Sequence, residues 1–405
     1  MTDIDSNKPE AFTGMPPALT MVFAVACGMM VANLYYAQAL IGEIAPALGL
    51  HGSTAGAIVT LTQLGYGAGL LLIVSLADLV ENRRLILTMV AGTTLGLIGI
   101  FFSQGALGFL VFSFVTGFCS VGAQIMVPLA AHLVPDAKRG QVIGNIMAGL
   151  ITGIMLARPL ASGLASLAGW RAIFAVSAVA MVALALLLAK MLPERRPSPG
   201  LGYGQILASS FRLLARTPAI RRRTAYQATM FAIFNLFWTA VPLVLATRFA
   251  LRQGGIALFA LAGAGGALAA PIAGRLGDRG YIRIGTGVAL GGAVLACLIA
   301  GWAGATHLLV MLAAAAILLD AATQLNQVLG QRVIYSIAPD ARGRINAIYM
   351  TVVFLGGAAG SMLASVSLYH GGWTATMAVG GGLAVAAFAL FLTEPRGDHI
   401  LSGAA

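Results

Sequence analysis

Apolar runs recur twelve times along the chain, over about residues 17–41, 54–77, 85–104, 106–133, 141–167, 171–192, 224–247, 254–274, 283–303, 305–334, 344–369 and 373–392. Each exceeds the roughly 18 residues needed to cross a hydrocarbon layer. Inside that layer a backbone must satisfy its own hydrogen bonds, so the runs read as helices. A transmembrane barrel would alternate apolar and polar residues with period two, and these runs do not. Composition agrees, with 59% hydrophobic and 9% charged residues where soluble proteins carry about 25% charged. The expected fold class is all-α and polytopic, with twelve transmembrane helices.

A net charge of +11 raises the question of a nucleic-acid partner. The distribution of the charge answers it. Of the 24 Lys and Arg, three fall in alternate loops (Arg171, Arg248 and Arg252) and one, Arg158, lies inside the fifth run. The other twenty belong to the loops after runs 2, 4, 6, 8 and 10 and to both tails. This is the positive-inside bias of a membrane protein, and it places both termini in the cytoplasm. The basic surface faces anionic lipid headgroups, and no nucleic acid is expected. Cys27, Cys119 and Cys297 all lie within apolar runs without metal-ligand spacing, so they read as packing residues and no metal or cofactor is expected.

The chain is written twice. "NLYY" at Asn33 returns as "NLFW" at Asn235, "PDAKRG" at Pro135 as "PDARGR" at Pro339, "GW" at Gly169 as "GW" at Gly372, and Asp78 as Asp278. The offsets are 202, 204, 203 and 200 residues, which identifies a duplication of six helices. The expected organisation is a cytoplasmic tail (1–16), a first six-helix bundle (17–192), a cytoplasmic linker (193–223), a second bundle (224–393) and a cytoplasmic C-terminal tail (394–405). An amphipathic piece is expected in the linker around Ile206–Leu214.

With these residues in view, the chain resembles the major facilitator superfamily of secondary transporters over essentially its whole length. The family's loop signature, Gly-x-x-x-Asp-Arg-x-Gly-Arg-Arg, is matched by "GRLGDRG", with Gly274, Asp278 and Arg279 in register. The first copy, "SLADLVENRR", keeps Asp78, Arg83 and Arg84 but has Ser75, Leu79 and Asn82 where the family has Gly, Arg and Gly. In the fifth run Gly149, Gly153, Pro159 and Gly163 are similar to the signature of the drug:proton antiporter branch, with Arg158 standing where that branch has Gly. The resemblance implies a two-bundle fold acting as a monomer in a cell membrane, with gating residues at Asp78, Arg83, Arg84, Asp278 and Arg279.

Arg158 and Asp320 are the only charged residues well inside the runs. A charge at bilayer depth costs at least about 2.5–3.5 kcal/mol when exposed to lipid, so both should face the interior or a watery crevice. Asp320, Gln324, Gln327 and Gln331 fall at i, i+4, i+7 and i+11, one face of a helix. Thr116, Ser120 and Gln124 repeat the four-residue spacing in the fourth run. The resemblance implies that runs 1, 4, 7 and 10 line a central cavity, to which Asn33, Tyr35, Tyr36, Gln38, Asn235, Trp238 and Thr239 would contribute. Asn346 and Tyr349 in the eleventh run are further candidates, whereas Glu43 reads as a solvated helix end. Hydrogen bonding between helices is the competing role for each of these polar residues.

A desolvated carboxylate holds a proton more readily than one in water, which suits Asp320 to proton coupling. The expected mechanism pairs Arg158 with Asp320 until protonation releases the arginine for an anionic or polar solute. The function expected is secondary active transport of a small organic solute, anions among the candidates, with proton-coupled efflux from the bacterial cytoplasm across the inner membrane favoured. A proton-coupled importer or uniporter of an anionic metabolite is the alternative. No His-Glu-x-x-His, Gly-x-Ser-x-Gly or phosphate-loop motif occurs, and none of the five histidines has an acidic partner mid-run, so no enzyme is expected. Glycine-rich stretches such as "GAGGALAAPIAG" (Gly263 to Gly274) suit helices that approach closely and slide.

Overall fold

The computed structural model describes residues 15–197, 200, 202–337 and 341–395. Most of both expected tails, with His399, and the Pro339–Asp340 part of the second loop repeat lie outside the described residues. Within them every regular element is a helix: α1 (Pro17–Ala32), α2 (Tyr36–Ala39), α3 (Ile41–Ala47), α4 (Ala57–Gly69), α5 (Asn82–Phe102), α6 (Ala106–Cys119), α7 (Gly122–His132), α8 (Asp136–Ala168), α9 (Arg171–Met191), α10 (Tyr203–Arg216), α11 (Pro218–Thr247), α12 (Gln253–Gly263), α13 (Ala269–Asp278), α14 (Ile282–Ala305), α15 (Leu309–Ile337) and α16 (Arg342–Leu392).

Ten helical segments among the described residues are long and apolar enough to cross a membrane, and Pro17–Ala32 is a shorter apolar helix. The longest, α16, is not one continuous rod. Gly372 interrupts it with φ 67° and ψ −168°, a left-handed backbone that glycine alone adopts freely. Several expected runs are likewise broken. The first turns at residues 33–35 between α1 and α2, the fourth at Ser120 and Val121 between α6 and α7, and the eighth passes through a tight 3-10 stretch at Ala264–Leu268 before α13. Hydropathy registers burial in lipid and does not register these bends.

Large apolar side chains are abundant outside. Leu107, Leu167 and Val310 are 78%, 84% and 82% exposed. Such a surface belongs against lipid. The segment 193–223, expected as a linker, carries α10, slightly longer than the expected Ile206–Leu214, and the first turn of α11. Its part before α11 is held by bonds at Arg195, Tyr203 and Ser209. Arg195 and Asn82 exchange two bonds, with N of Asn82 donating to the Arg195 carbonyl at 3.0 Å and Nη1 of Arg195 to Oδ1 of Asn82 at 2.9 Å. The Tyr203 hydroxyl donates to the Leu72 carbonyl at 2.9 Å, and Arg344 donates to Ser209 at 3.0 Å.

Candidate transport site

A cavity of about 830 Å³ penetrates between the two halves of the chain. Its mouth lies among the basic loops, at Asp78, His132, Arg139, Arg342 and Arg344, and its deep end at Tyr35, Arg158 and Asp320. α8 forms one wall, α15 and the start of α16 the other, so the two halves of the sequence share it.

Beyond the deep end the halves are joined by a buried polar network. Nε2 of Gln38 donates to Oδ1 of Asn235 at 3.2 Å and to Oγ1 of Thr239 at 3.3 Å, and Nε2 of Gln63 donates to the same Asn235 oxygen at 3.1 Å. Oγ1 of Thr239 donates onward to Ser361 at 3.3 Å. Thr60 Oγ1 adds a bond to the Ala358 carbonyl at 3.2 Å, and the Tyr66 and Phe354 rings meet at 4.4 Å. Glu43 is not the solvated end residue expected. It is half-buried within reach of Gln253 on α12, and burial raises its pKa while Gln253 pulls it back.

Arg158 is 5% exposed and Asp320 8%. They come from the fifth and tenth runs and line the same cavity end, yet they form no direct ion pair. Trp238 links them instead. Its Nε1 donates to Oδ1 of Asp320 at 2.8 Å, and its face lies 4.4 Å from the Arg158 guanidinium carbon. Phe234 and Tyr35 rings stand 4.9 and 5.0 Å from that carbon, giving an aromatic box around the cation; such faces attract a cation electrostatically. The guanidinium Nε donates to the neutral Oε1 of Gln38 at 3.0 Å, and its buried Nη2 has no hydrogen-bond partner. The 3-10 stretch at Ala264–Leu268 passes against α15 here. A Cβ on Gly266 would stand 2.5 Å from the Asp320 Cβ and 2.6 Å from the Ile317 carbonyl, so a residue without a side chain is required at that crossing.

The remaining expected site residues divide. Gln324, Gln327 and Gln331 line the cavity, as do Gln124 and Asn346; Gln124 donates to the Tyr66 hydroxyl at 3.3 Å. Thr116 and Ser120 do not reach it. Their hydroxyls donate to their own helix at Phe112 and Thr116, 2.8 and 2.7 Å away, because the break at Ser120 ends the periodicity that would align them with Gln124. Asn33 is held inside the first half, donating to the Met29 carbonyl at 3.0 Å and accepting from Ser177 at 2.7 Å. Tyr36 and Tyr349 are buried away from the cavity. Asn235, Gln38 and Thr239 sit in the seal rather than in the cavity wall.

Of the expected gating residues, Asp78 lies at the mouth, near Arg195 and Arg344. Arg83 donates to the Ala189 carbonyl and lies 3.6 Å from Glu194. Arg84 is exposed, and its backbone N–H is held by Glu81, which caps α5. Asp278 pairs with Arg332 of its own half, and Arg279 is exposed. None of these arginines bridges the two halves in this conformation. Gln63, Phe234, Tyr66 and His132 are site residues that the sequence reading misses. Gln63 and Tyr66 are close neighbours on the second run facing the seventh and eleventh, and a lone Gln in an apolar run is the available signal.

The seal gives a direct expectation. Gln38→Ala removes two buried inter-half hydrogen bonds, together worth about 2 kcal/mol, so the sealed end should open about thirtyfold more often. Thiol labelling of a cysteine placed at Thr60, applied from the sealed side, reads this; unchanged labelling removes Gln38 from the seal.

Residues 19–268 and 224–404 match the Major Facilitator Superfamily, and the chain belongs to that family. It is 42% identical to an uncharacterized transporter, YgaY, of Escherichia coli O157:H7 over 92% of this chain and 94% of that one. A probable transporter of Streptomyces coelicolor, SCO4007, shares 32% over 89% and 84%, and a chloramphenicol resistance protein of Streptomyces lividans 27% over 88% and 90%. Among solved structures, an inward-facing, unoccupied bacterial homolog of the human lysosomal transporter Spinster superposes with TM-score 0.72 at 14% identity, covering 93% of this chain and 97% of that chain. A mutant of the nucleoside transporter NupG gives 0.74 at 12% identity, covering 92% and 98%. The chain is therefore a multi-pass membrane transporter of a small solute and not an enzyme.

Proposed function

We propose that the chain forms twelve transmembrane helices in two six-helix bundles, 17–192 and 224–393, joined by the cytoplasmic linker 193–223. The face carrying the basic loops is cytoplasmic, so the conformation described is open inward and the Gln38–Asn235 seal closes its outer side. Transport is proton-coupled, with Asp320 as the proton carrier and Arg158 as the solute-binding cation. The observation that carries this reading is the pair of opposite charges, one from each bundle, linked by Trp238 at the closed end of one cavity.

Linkage sets the sense of coupling. A proton on Asp320 removes the negative charge beside Arg158 and so favours an anion there; by reciprocity the anion favours the proton. Anion and proton then travel together, and the importer expected as the alternative is the reading that the Arg158 environment favours. A solute that itself needs the Asp320 carboxylate competes with the proton and gives antiport. The similarity to the chloramphenicol resistance protein and the fifth-run signature support that efflux reading. Purified protein in liposomes loaded with a pH-sensitive dye separates the two. With metabolites and antibiotics, chloramphenicol among them, supplied outside, symport acidifies the lumen as solute enters and antiport makes it alkaline. Solute movement with no proton movement would refute coupling altogether.

A further inference from the structure

We propose that the solute is an amphiphilic organic monoanion, a carboxylate carried on an aromatic or branched apolar body. This rests on the reading of Arg158 as the solute-binding cation and goes further, since it fixes both the charge and the shape of what the cation receives.

The charge follows from what surrounds Arg158. Its guanidinium is buried, its nearest acid is engaged by an indole N–H rather than by the guanidinium, and its hydrogen bond goes to a neutral amide. The Nη2 group is buried without an acceptor. A buried donor on a charged group calls for an acceptor, and a carboxylate is the one that also answers the charge. With Asp320 protonated, the deep end carries a single positive charge, so one negative charge completes it and a second would stand uncompensated in a desolvated site. A lipophilic cation meets the guanidinium at the same place and is repelled. The mouth favours the same sign: among the described residues Arg342 and Arg344 line it beside Asp78, and a cleft with an excess of one sign concentrates the opposite one.

The shape follows from the walls. Between mouth and box the cavity is bounded by Leu150, Ile154 and Met155 on one side and by Phe231, Val353 and Phe354 on the other. At about 830 Å³ it accommodates a drug-sized molecule, for which pockets run to about 300–1,000 Å³. A small hydrophilic acid would leave these walls against water. An aromatic body fills them while its carboxylate reaches Arg158 at the deep end, beside Tyr35 and Phe234.

Equilibrium binding to the purified full-length protein, followed by Trp fluorescence, tests this with 2-naphthoate, its neutral isostere 2-naphthamide, citrate and tetraphenylphosphonium. The expected order is naphthoate first, with the amide about tenfold weaker or more through loss of the charge-assisted bond, and citrate and tetraphenylphosphonium weaker still. Arg158→Gln should bring naphthoate down to the level of the amide. Equal binding of acid and amide, or tighter binding of either citrate or tetraphenylphosphonium, overturns the proposal in the wild-type protein alone, whether or not the variant folds. Because binding is read without flux, carboxylate selectivity can stand while proton coupling fails. Conversely, Asp320-dependent, pH-driven movement of some other solute by a protein indifferent to naphthoate overturns the monoanion and leaves the transport reading intact.

Discussion

Asp320→Asn is expected to reduce pH-gradient-driven accumulation to the level of protein-free liposomes while leaving solute binding and solute–solute exchange in place. The substitution is mild for the structure. Its Oδ1 can still accept from Nε1 of Trp238, which lies 2.8 Å from the present carboxylate oxygen, and the volume in front of Gly266 is unchanged. What it removes is the capacity to change charge. The wild-type site should bind an organic anion more tightly as pH falls, because a protonated Asp320 no longer opposes the anion's charge beside Arg158. In the variant that slope should vanish. Its affinity at alkaline pH should exceed that of the wild type, since a neutral amide copies the protonated acid. Driven accumulation that survives the substitution, or an unchanged pH slope of binding, would take the coupling role away from Asp320. A damaged fold is distinguished from a lost proton carrier by the exchange assay, which needs an intact cavity but no proton.

Much of this site is legible in the chain because of two costs. A charge in an apolar run is expensive against lipid, which singles out Arg158 and Asp320, and a helical face of repeated amides singles out Gln324, Gln327 and Gln331. The fold is legible for a similar reason: lipid demands long apolar helices, and the repeats between residues 33–170 and 235–373 pair the halves. What sequence spacing does not carry is direction after a break. Thr116 and Ser120 share a period with Gln124 only while one helix is assumed, and α6 ends at Cys119. Trp238 reads from the sequence as a cavity wall, but its role as the link between the two charges depends on tertiary placement across the halves. The Gln38–Asn235 contact joins positions 197 residues apart, for which a single sequence offers no register. Asn33 and Asn235 occupy equivalent places in the repeat and have diverged, one to internal packing and the other to the seal.

The second large effect lies away from the site, where α16 ends. Nη2 of Arg223 lies 3.0 Å from Oε1 of Glu394, and both side chains are buried. Nη1 of the same arginine donates to Thr286 at 2.7 Å. Arg283 donates to the Glu394 carbonyl at 2.9 Å, and Arg222 to the Leu390 carbonyl at 3.1 Å. Three arginines from α11 and α14 therefore hold the end of α16. Oε2 of Glu394 has no hydrogen-bond partner, so the carboxylate is only half satisfied and the ion pair carries its burial. Breaking one side leaves the other charge buried alone, which costs about 3–5 kcal/mol, whereas replacing both by apolar groups of similar size is often neutral or stabilising. Glu394→Gln should thus lower the unfolding free energy of the purified protein by an amount in that range. Arg223→Met combined with Glu394→Leu should recover most of it. Transport per folded molecule should be the same in both, since neither residue lines the cavity. A double variant as unstable as the single one would mean that the hydrogen bonds to Thr286 and the helix end, rather than the charge pair, fasten this corner. A single variant within about 1 kcal/mol of wild type would mean that water reaches the pair, as it does for exposed pairs of similar worth.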